Sequence, residues 1–141
     1  MAWERPVLNI PAAIAGATFA SGNGYNSTGQ FLFVKLSADD TYIPCTSTRD
    51  LPVGVAQNNP ASGDGLEVMV YGVTKVYCGA GGLAFGDEVG TDNQGKAVKK
   101  SNTATGANFG DAVRGICIEA GAAAALATVL LTGPYYVGHP T

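Results

Sequence analysis

Leu66-Glu67-Val68-Met69-Val70-Tyr71-Gly72 is the stretch on which the fold class turns. Leu66, Val68 and Val70 recur with period two, which in an extended chain places them on one face of a strand. The flanks agree. Asn58-Asn59-Pro60-Ala61-Ser62-Gly63-Asp64-Gly65 before it is rich in turn formers. After Gly72, Val73 to Cys78 reads as a second strand, separated from the first by the glycine. Working outward, Phe31 to Leu36, Thr41 to Cys45 and Val53 to Ala56 read as strands on the N-terminal side. Leu83 to Val89, Lys96 to Lys100, Ala112 to Ile118 and Ala127 to Leu131 do so on the C-terminal side. Ala38-Asp39-Asp40, Gly79 to Gly82 and Thr91 to Gly95 supply turns between them. Ala120 to Leu126 is rich in alanine, the best helix former, but too short to be a stable helix. It is read as a connecting loop.

The expected architecture is all-β: a small antiparallel β-barrel or sandwich. Self-similarity supports it. Gly54-Val55 aligns with Gly115-Ile116, and at the same offset of 61 Val68, Val70 and Gly72 align with Val129, Leu131 and Gly133. Upstream, at an offset of 55, Val34 matches Val89, Asp39-Asp40 matches Gln94-Gly95, and Ile43 matches Val98. Two pseudo-repeated strand units would follow. Residues 1–29 look different: Pro6 and Pro11 bracket Val7-Leu8-Asn9-Ile10, and a Gly/Asn-rich stretch follows from Ser21 to Gly29. Proline opposes helix and central-strand roles and pushes its neighbour to extended geometry. We read residues 1–29 as an extended arm and loop, and residues 30–141 as one β-barrel-like domain.

Composition narrows the function. The chain has 141 residues, 20 of them glycine, with 13% charged residues and a net charge of −3. The scattered Lys and Arg residues form no stripe to neutralise phosphates, so nucleic acid is not an expected partner. The adjacent pair Lys99-Lys100 reads as a solvated strand end. No apolar run is long enough to span a bilayer, and Met1 to Pro6 does not resemble a signal peptide, so synthesis in the cytoplasm is expected. Cys45, Cys78 and Cys117 are far apart and form no CxxC or Cys/His cluster, the signature of a zinc site. They read as buried free thiols, with one disulfide and a leftover thiol as the other arrangement.

No residue pattern requires chemistry. His139 is the only histidine and lies near the end of the chain, whereas a catalytic imidazole needs an orienting partner on a rigid element. Asp39-Asp40, Asp64, Asp87-Glu88 and Asp92 fall in turns, where aspartate bonds to local backbone. They lack the alternating spacing of a calcium loop. Gly79-Ala80-Gly81-Gly82 lacks the Gly-Lys-Ser/Thr ending of a phosphate loop. The expectation is a non-enzyme without cofactor or metal. Tyr135-Tyr136 and Trp3 are candidate interface anchors, since aromatics are enriched there. They could instead cover the ends of a barrel.

These units resemble the head decoration, or capsid cement, proteins of tailed bacteriophages. Carrying the resemblance are Leu51-Pro52-Val53-Gly54-Val55-Ala56 with Leu66 to Gly72, Phe85-Gly86-Asp87-Glu88-Val89 with Thr91 to Val98, and Gly115 to Ala120 with Ala127 to Leu131. It spans about Gln30 to Gly133, and the loop from Gly22 to Gly29 departs from it. The resemblance implies a structural protein on the outer surface of the virion, bound to the major capsid protein as a homotrimer. It implies shell contacts through an N-terminal arm, here Trp3, Arg5, Val7, Leu8 and Ile10, with Tyr135 and Tyr136 as further contact candidates. Another virion β module, such as a head-fibre base or tail tube protein, is the alternative. A small ligand-binding barrel is a more distant one.

Overall fold

The computed structural model describes residues 8–100 and 111–136. They form ten strands: β1 (Leu8–Asn9), β2 (Ile14–Ala15), β3 (Phe33–Ala38), β4 (Thr41–Pro44), β5 (Gly54–Ala56), β6 (Val68–Tyr77), β7 (Glu88–Thr91), β8 (Ala97–Lys99), β9 (Ala112–Glu119) and β10 (Leu126–Tyr136). The strand order is β2-β4-β3-β5-β6-β10-β9-β7-β8, with β1 against β6. Each ladder is antiparallel except β2–β4. The fold is all-β, as the alternation requires. Residues 120–125 are a loop closed by the Ala125 N–H to Ala122 O bond at 3.1 Å.

The chain is built from two copies of one unit, and the pairing register shows it residue by residue. In the first copy Val34, Lys35 and Leu36 oppose Pro44, Ile43 and Tyr42. In the second, Val89, Gly90 and Thr91 oppose Lys99, Val98 and Ala97. Phe33↔Val55 and Val34↔Gly54 recur as Glu88↔Ile116 and Val89↔Gly115. Val55↔Met69 and Ala56↔Val68 recur as Ile116↔Leu130 and Cys117↔Val129. Turn geometry is also shared: Asp40 and Gly95 hold equivalent places, with φ of 50° and 79°.

The register also finds a third equivalence that residue identities conceal. Ala15 pairs in parallel with Tyr42, and Cys78 bridges Ala97 in parallel. Ala15 N–H donates to Asp64 O at 2.9 Å, and Cys78 N–H to Ala125 O at 2.9 Å. Residues 8–16 therefore do in the first unit what 71–79 do in the second. Each unit curls until its first strand touches both β6 or β10 and the β4 or β8 hairpin arm. The sheet as a whole stays open.

This explains the behaviour of the N-terminal segment. Of the stretch read as arm and loop, residues 1–7 lie outside the described residues. Ala13, Ala15 and Phe19 are buried with Val34, Tyr42, Ala56, Leu66 and Val68 in the core of the first unit. Val76, Cys78, Val89, Ala97, Cys117, Ala127 and Val129 form the core of the second. Gly72 does not separate two strands, as its position suggested. At φ 125° it bends the single strand β6, which passes from one unit to the other.

Equivalent glycines mark where the two inner strands of each unit approach closely. A Cβ on Gly54 would meet the Met69 carbonyl oxygen and lie 2.8 Å from Val68 Cγ1. On Gly115 it would lie 2.5 Å from Val129 Cγ1 and 2.7 Å from Leu130 O. Both obstacles include backbone, which cannot turn aside. Gly54→Ala and Gly115→Ala should each cost about 2 kcal/mol of stability. Gly133→Ala, with open space around it, should leave the thermal midpoint nearly unchanged. Equal midpoints for all three variants would contradict the packing.

Candidate functional site

Alternation on β9 and β10 sends Val113, Gly115, Cys117 and Val129 inward and Ile116, Ile118 and Leu130 outward. Cross-strand register then sets Val73, Leu130, Ile116 and Glu88 in one row across β6, β10, β9 and β7. Directly opposed side chains share a face. Leu130 is 40% exposed and Ile116 37%, so the row is an apolar surface open to solvent. Lys75, Thr128 and Glu119 border it on one side. Lys75 Nζ lies 3.2 Å from Glu119 Oε2, and Thr128 donates to the same oxygen at 2.6 Å. These bonds hold the Glu119 carboxyl below its ordinary pKa.

The opposite border is Arg114, which lies on the same face of β9 but is buried. Nε donates to Pro52 O at 3.1 Å, and Nη2 to Val53 O at 3.1 Å and Val70 O at 2.6 Å. Nη1 donates to Thr132 O. The guanidinium also stacks on Tyr71, 5.1 Å from the ring centre. Desolvation pulls its pKa down, and Tyr71 opposes this. Its partners are backbone carbonyls, and none of the ion pairs among the described residues includes it. Arg114 fixes the junction of the two units at the edge of the apolar row.

Of the contact residues expected from sequence, the described ones are not gathered on this face. Trp3, Arg5 and Val7 lie outside the described residues. Leu8 is exposed and pairs with Tyr71. Ile10 is half-buried against the core of the first unit. Tyr135 crosses β9 to donate to Glu88 Oε1 at 2.7 Å. Burial and this carboxylate push its phenol up to about 12. Tyr136 pairs with Ala112 and is exposed. Phe85, which is not among the contact residues expected from sequence, sits at the turn before Asp87 and is 80% exposed. The turn is held by Ala84 N–H to Asp87 Oδ2 at 2.8 Å. Lys99, 2.9 Å away, helps hold the Asp87 carboxyl below its usual range.

Lys99-Lys100 differs from the solvated pair that was expected. Neighbours on a strand face opposite sides. Lys99 reaches Asp87 at the surface, whereas Lys100 is buried 2.9 Å from Asp111 Oδ2, both side chains 1% exposed. The three cysteines are free and buried. Burial raises all three thiol pKa values, Cys45 to about 12. A thiol so protonated and enclosed reacts slowly, because the thiolate is the nucleophile. Ellman's reagent should therefore titrate the native chain slowly, and three thiols rapidly once it is unfolded in guanidinium. Fast native labelling would refute the burial.

Among the described residues no His, Cys, Asp and Glu side chains cluster as metal ligands would. The groove between the 17–29 loop, β4 and the turn at Asn93-Gln94 is lined by Thr18, Asn23, Leu32, Ile43 and Pro44, with no charged side chain. The chain's residues 9–133 match the sequence model of the phage cement protein family, and the chain belongs to that family. The search of curated proteins gave no match. Among solved structures, the N base of the head fiber gp8.5 of bacteriophage phi29 is similar. It has a TM-score of 0.58 and 19% identity, covering 91% of this chain and 94% of that one. At that identity the likeness is one of fold.

Proposed function

We propose that the chain is a decoration, or cement, protein that binds the major capsid protein on the outer surface of a phage head and stabilises the shell as a trimer. The observation that carries this reading is the family match across nearly all of both units. A trimer engages several capsid subunits at once, so weak contacts add through effective concentration. The shell contact falls to the N-terminal residues Trp3, Arg5 and Val7, which precede β1, and to exposed aromatics such as Phe85 and Tyr136. A second reading, the base of a head fibre, is favoured by the likeness to the phi29 N base. It shares the shell as partner and differs in carrying a projecting part.

Cosedimentation with heads lacking the protein tests the reading, and the wild-type chain should pellet with them. Ile10 packs on the core, so the informative truncation stops short of it. Deleting residues 1–7, or Trp3→Ala, should leave the circular dichroism spectrum unchanged and reduce head binding at least tenfold. Undiminished binding by a folded truncation would remove the N-terminal contact. Failure of the wild-type chain to bind any head would remove the cement reading.

A further inference from the structure

The two units are alike, yet their equivalent faces are not equally covered. In the first unit the row that matches Val73, Leu130, Ile116 and Glu88 is Asn9, Met69, Val55 and Phe33. Val55 and Phe33 are fully buried and Met69 nearly so, in one cluster with Val76, Leu131 and other residues of the second unit. What covers them is specific. Phe33 N–H donates to Gly95 O at 2.8 Å, and Tyr77 N–H to Phe31 O at 3.0 Å. Thr91, at the start of the turn that holds Gly95, is fully buried, its hydroxyl donating to Asp92 O at 3.0 Å. The turn at 91–95 and Tyr77 of the second unit thus cap the open sheet face of the first.

The counterparts of those capping residues in the first unit are Leu36 for Thr91, Asp40 for Gly95 and Ile14 for Tyr77. Leu36 is 53% exposed and Ile14 41%. Among the described residues, the side chains of this face on the second unit and of this cap on the first are thus exposed, although the Ile14 N–H and the Asp40 carbonyl oxygen, counterparts of the Tyr77 N–H and Gly95 oxygen, bond each other at 2.9 Å. Within the chain, the matching face and cap are joined. We propose that a second copy of this chain seats its Ile14–Leu36 cap on the Val73–Leu130–Ile116 face, repeating between chains the apolar side-chain part of the contact that joins the units within one. Such a contact is heterologous, running head to tail, and it closes into a ring if its rotation permits. It supplies an interface for the trimer of the functional reading. It rests on strand register and exposure rather than on capsid binding, and measurement on the isolated chain separates the two.

The copied contact is weaker than the original for a stated reason. Glu88 stands where the first unit has Phe33, and Asp39-Asp40 of the incoming cap stand where the second unit has Gln94-Gly95. Like charges oppose each other across the junction, so association needs concentrated protein and enough salt to screen them.

Sedimentation equilibrium of the full chain at moderate salt, up to about millimolar protein, tests the proposal. The wild type should associate reversibly. Leu130→Glu on the face and Leu36→Glu on the cap should each abolish association while leaving the unfolding midpoint near that of the wild type. Mixing the two variants should then restore a species of two chains and nothing larger. One intact face meets one intact cap, and both outer surfaces are spoiled. A wild type that stays monomeric throughout overturns the proposal, as does association untouched by either variant. A mixture that stays monomeric overturns it too, because a self-complementary contact would behave that way. Association that appears only after residues 1–7 are deleted would show the chain's own N-terminus on this face, and would equally overturn it.

Discussion

Arg114→Met should lower the stability of the chain by about 4 kcal/mol, moving the thermal midpoint down by roughly 10 °C. The guanidinium serves four carbonyl oxygens, those of Pro52, Val53, Val70 and Thr132. Leaving a buried carbonyl without a donor costs about 1–3 kcal/mol. Relaxation and water entry recover part of that sum. A buried charge is often a poor source of stability, because a hydrophobic replacement of both partners can do as well. Here the partners are main-chain groups, which no substitution can remove, so the usual escape is closed. Arg114→Lys should not restore the loss. A single ammonium is a point donor, and these acceptors are spread around a planar fork.

Three of the four acceptors, Pro52, Val53 and Val70, belong to the first unit, whereas Arg114 belongs to the second. The loss should therefore reach cooperativity as well as stability. Urea unfolding of the variant should show a lower slope or a second transition, as the second unit comes to open separately. A variant within about 1 kcal/mol of wild type, with an unchanged slope, would show that the junction holds without the arginine.

The sequence disclosed the strands well and the polar interior poorly, and the reason is physical. Alternation in Leu66 to Tyr71 and turn formers at Asn58 to Gly65 act locally, so they can be read from neighbours. The repeat was visible at Gly54-Val55 and Gly115-Ile116 because a side chain there would strike the adjacent strand. It was invisible between residues 8–16 and 71–79. Those segments share hydrogen-bond partners, not residue types. Arg114 gave no sign because its partners are carbonyls, which every residue has. Lys100 was misread because it was judged with Lys99, although strand geometry turns the two to opposite sides. The exposed row Val73–Leu130–Ile116 is assembled from three strands, and only register brings it together.

The second large effect concerns Lys100. Lys100→Met should destabilise the chain by about 3–5 kcal/mol. The Lys100 ammonium sits 2.9 Å from Asp111 Oδ2 and also donates to Thr48 O at 3.2 Å. Arg49 Nε is 4.0 Å from the other carboxylate oxygen, but its side chain is 73% exposed and it contributes little. Removing the lysine leaves a carboxylate 1% exposed, with the solvent-exposed Arg49 at 4.0 Å as its one cation among the described residues. The first unit shows what the fold requires at this place. Cys45 occupies the position of Lys100, and its N–H donates to Phe33 O at 2.9 Å as that of Lys100 does to Glu88 O at 2.8 Å. Asp50 occupies the position of Asp111, but it bonds the N–H groups of Thr46 and Ser47 and pairs with Lys35 at 2.8 Å. An uncharged interior is thus compatible with the unit, and Lys100→Met/Asp111→Leu should regain most of the loss. The double-mutant cycle isolates the charge from the packing of the lysine stem. If the double variant is as unstable as Lys100→Met alone, the stem and not the ion pair is what the second unit depends on.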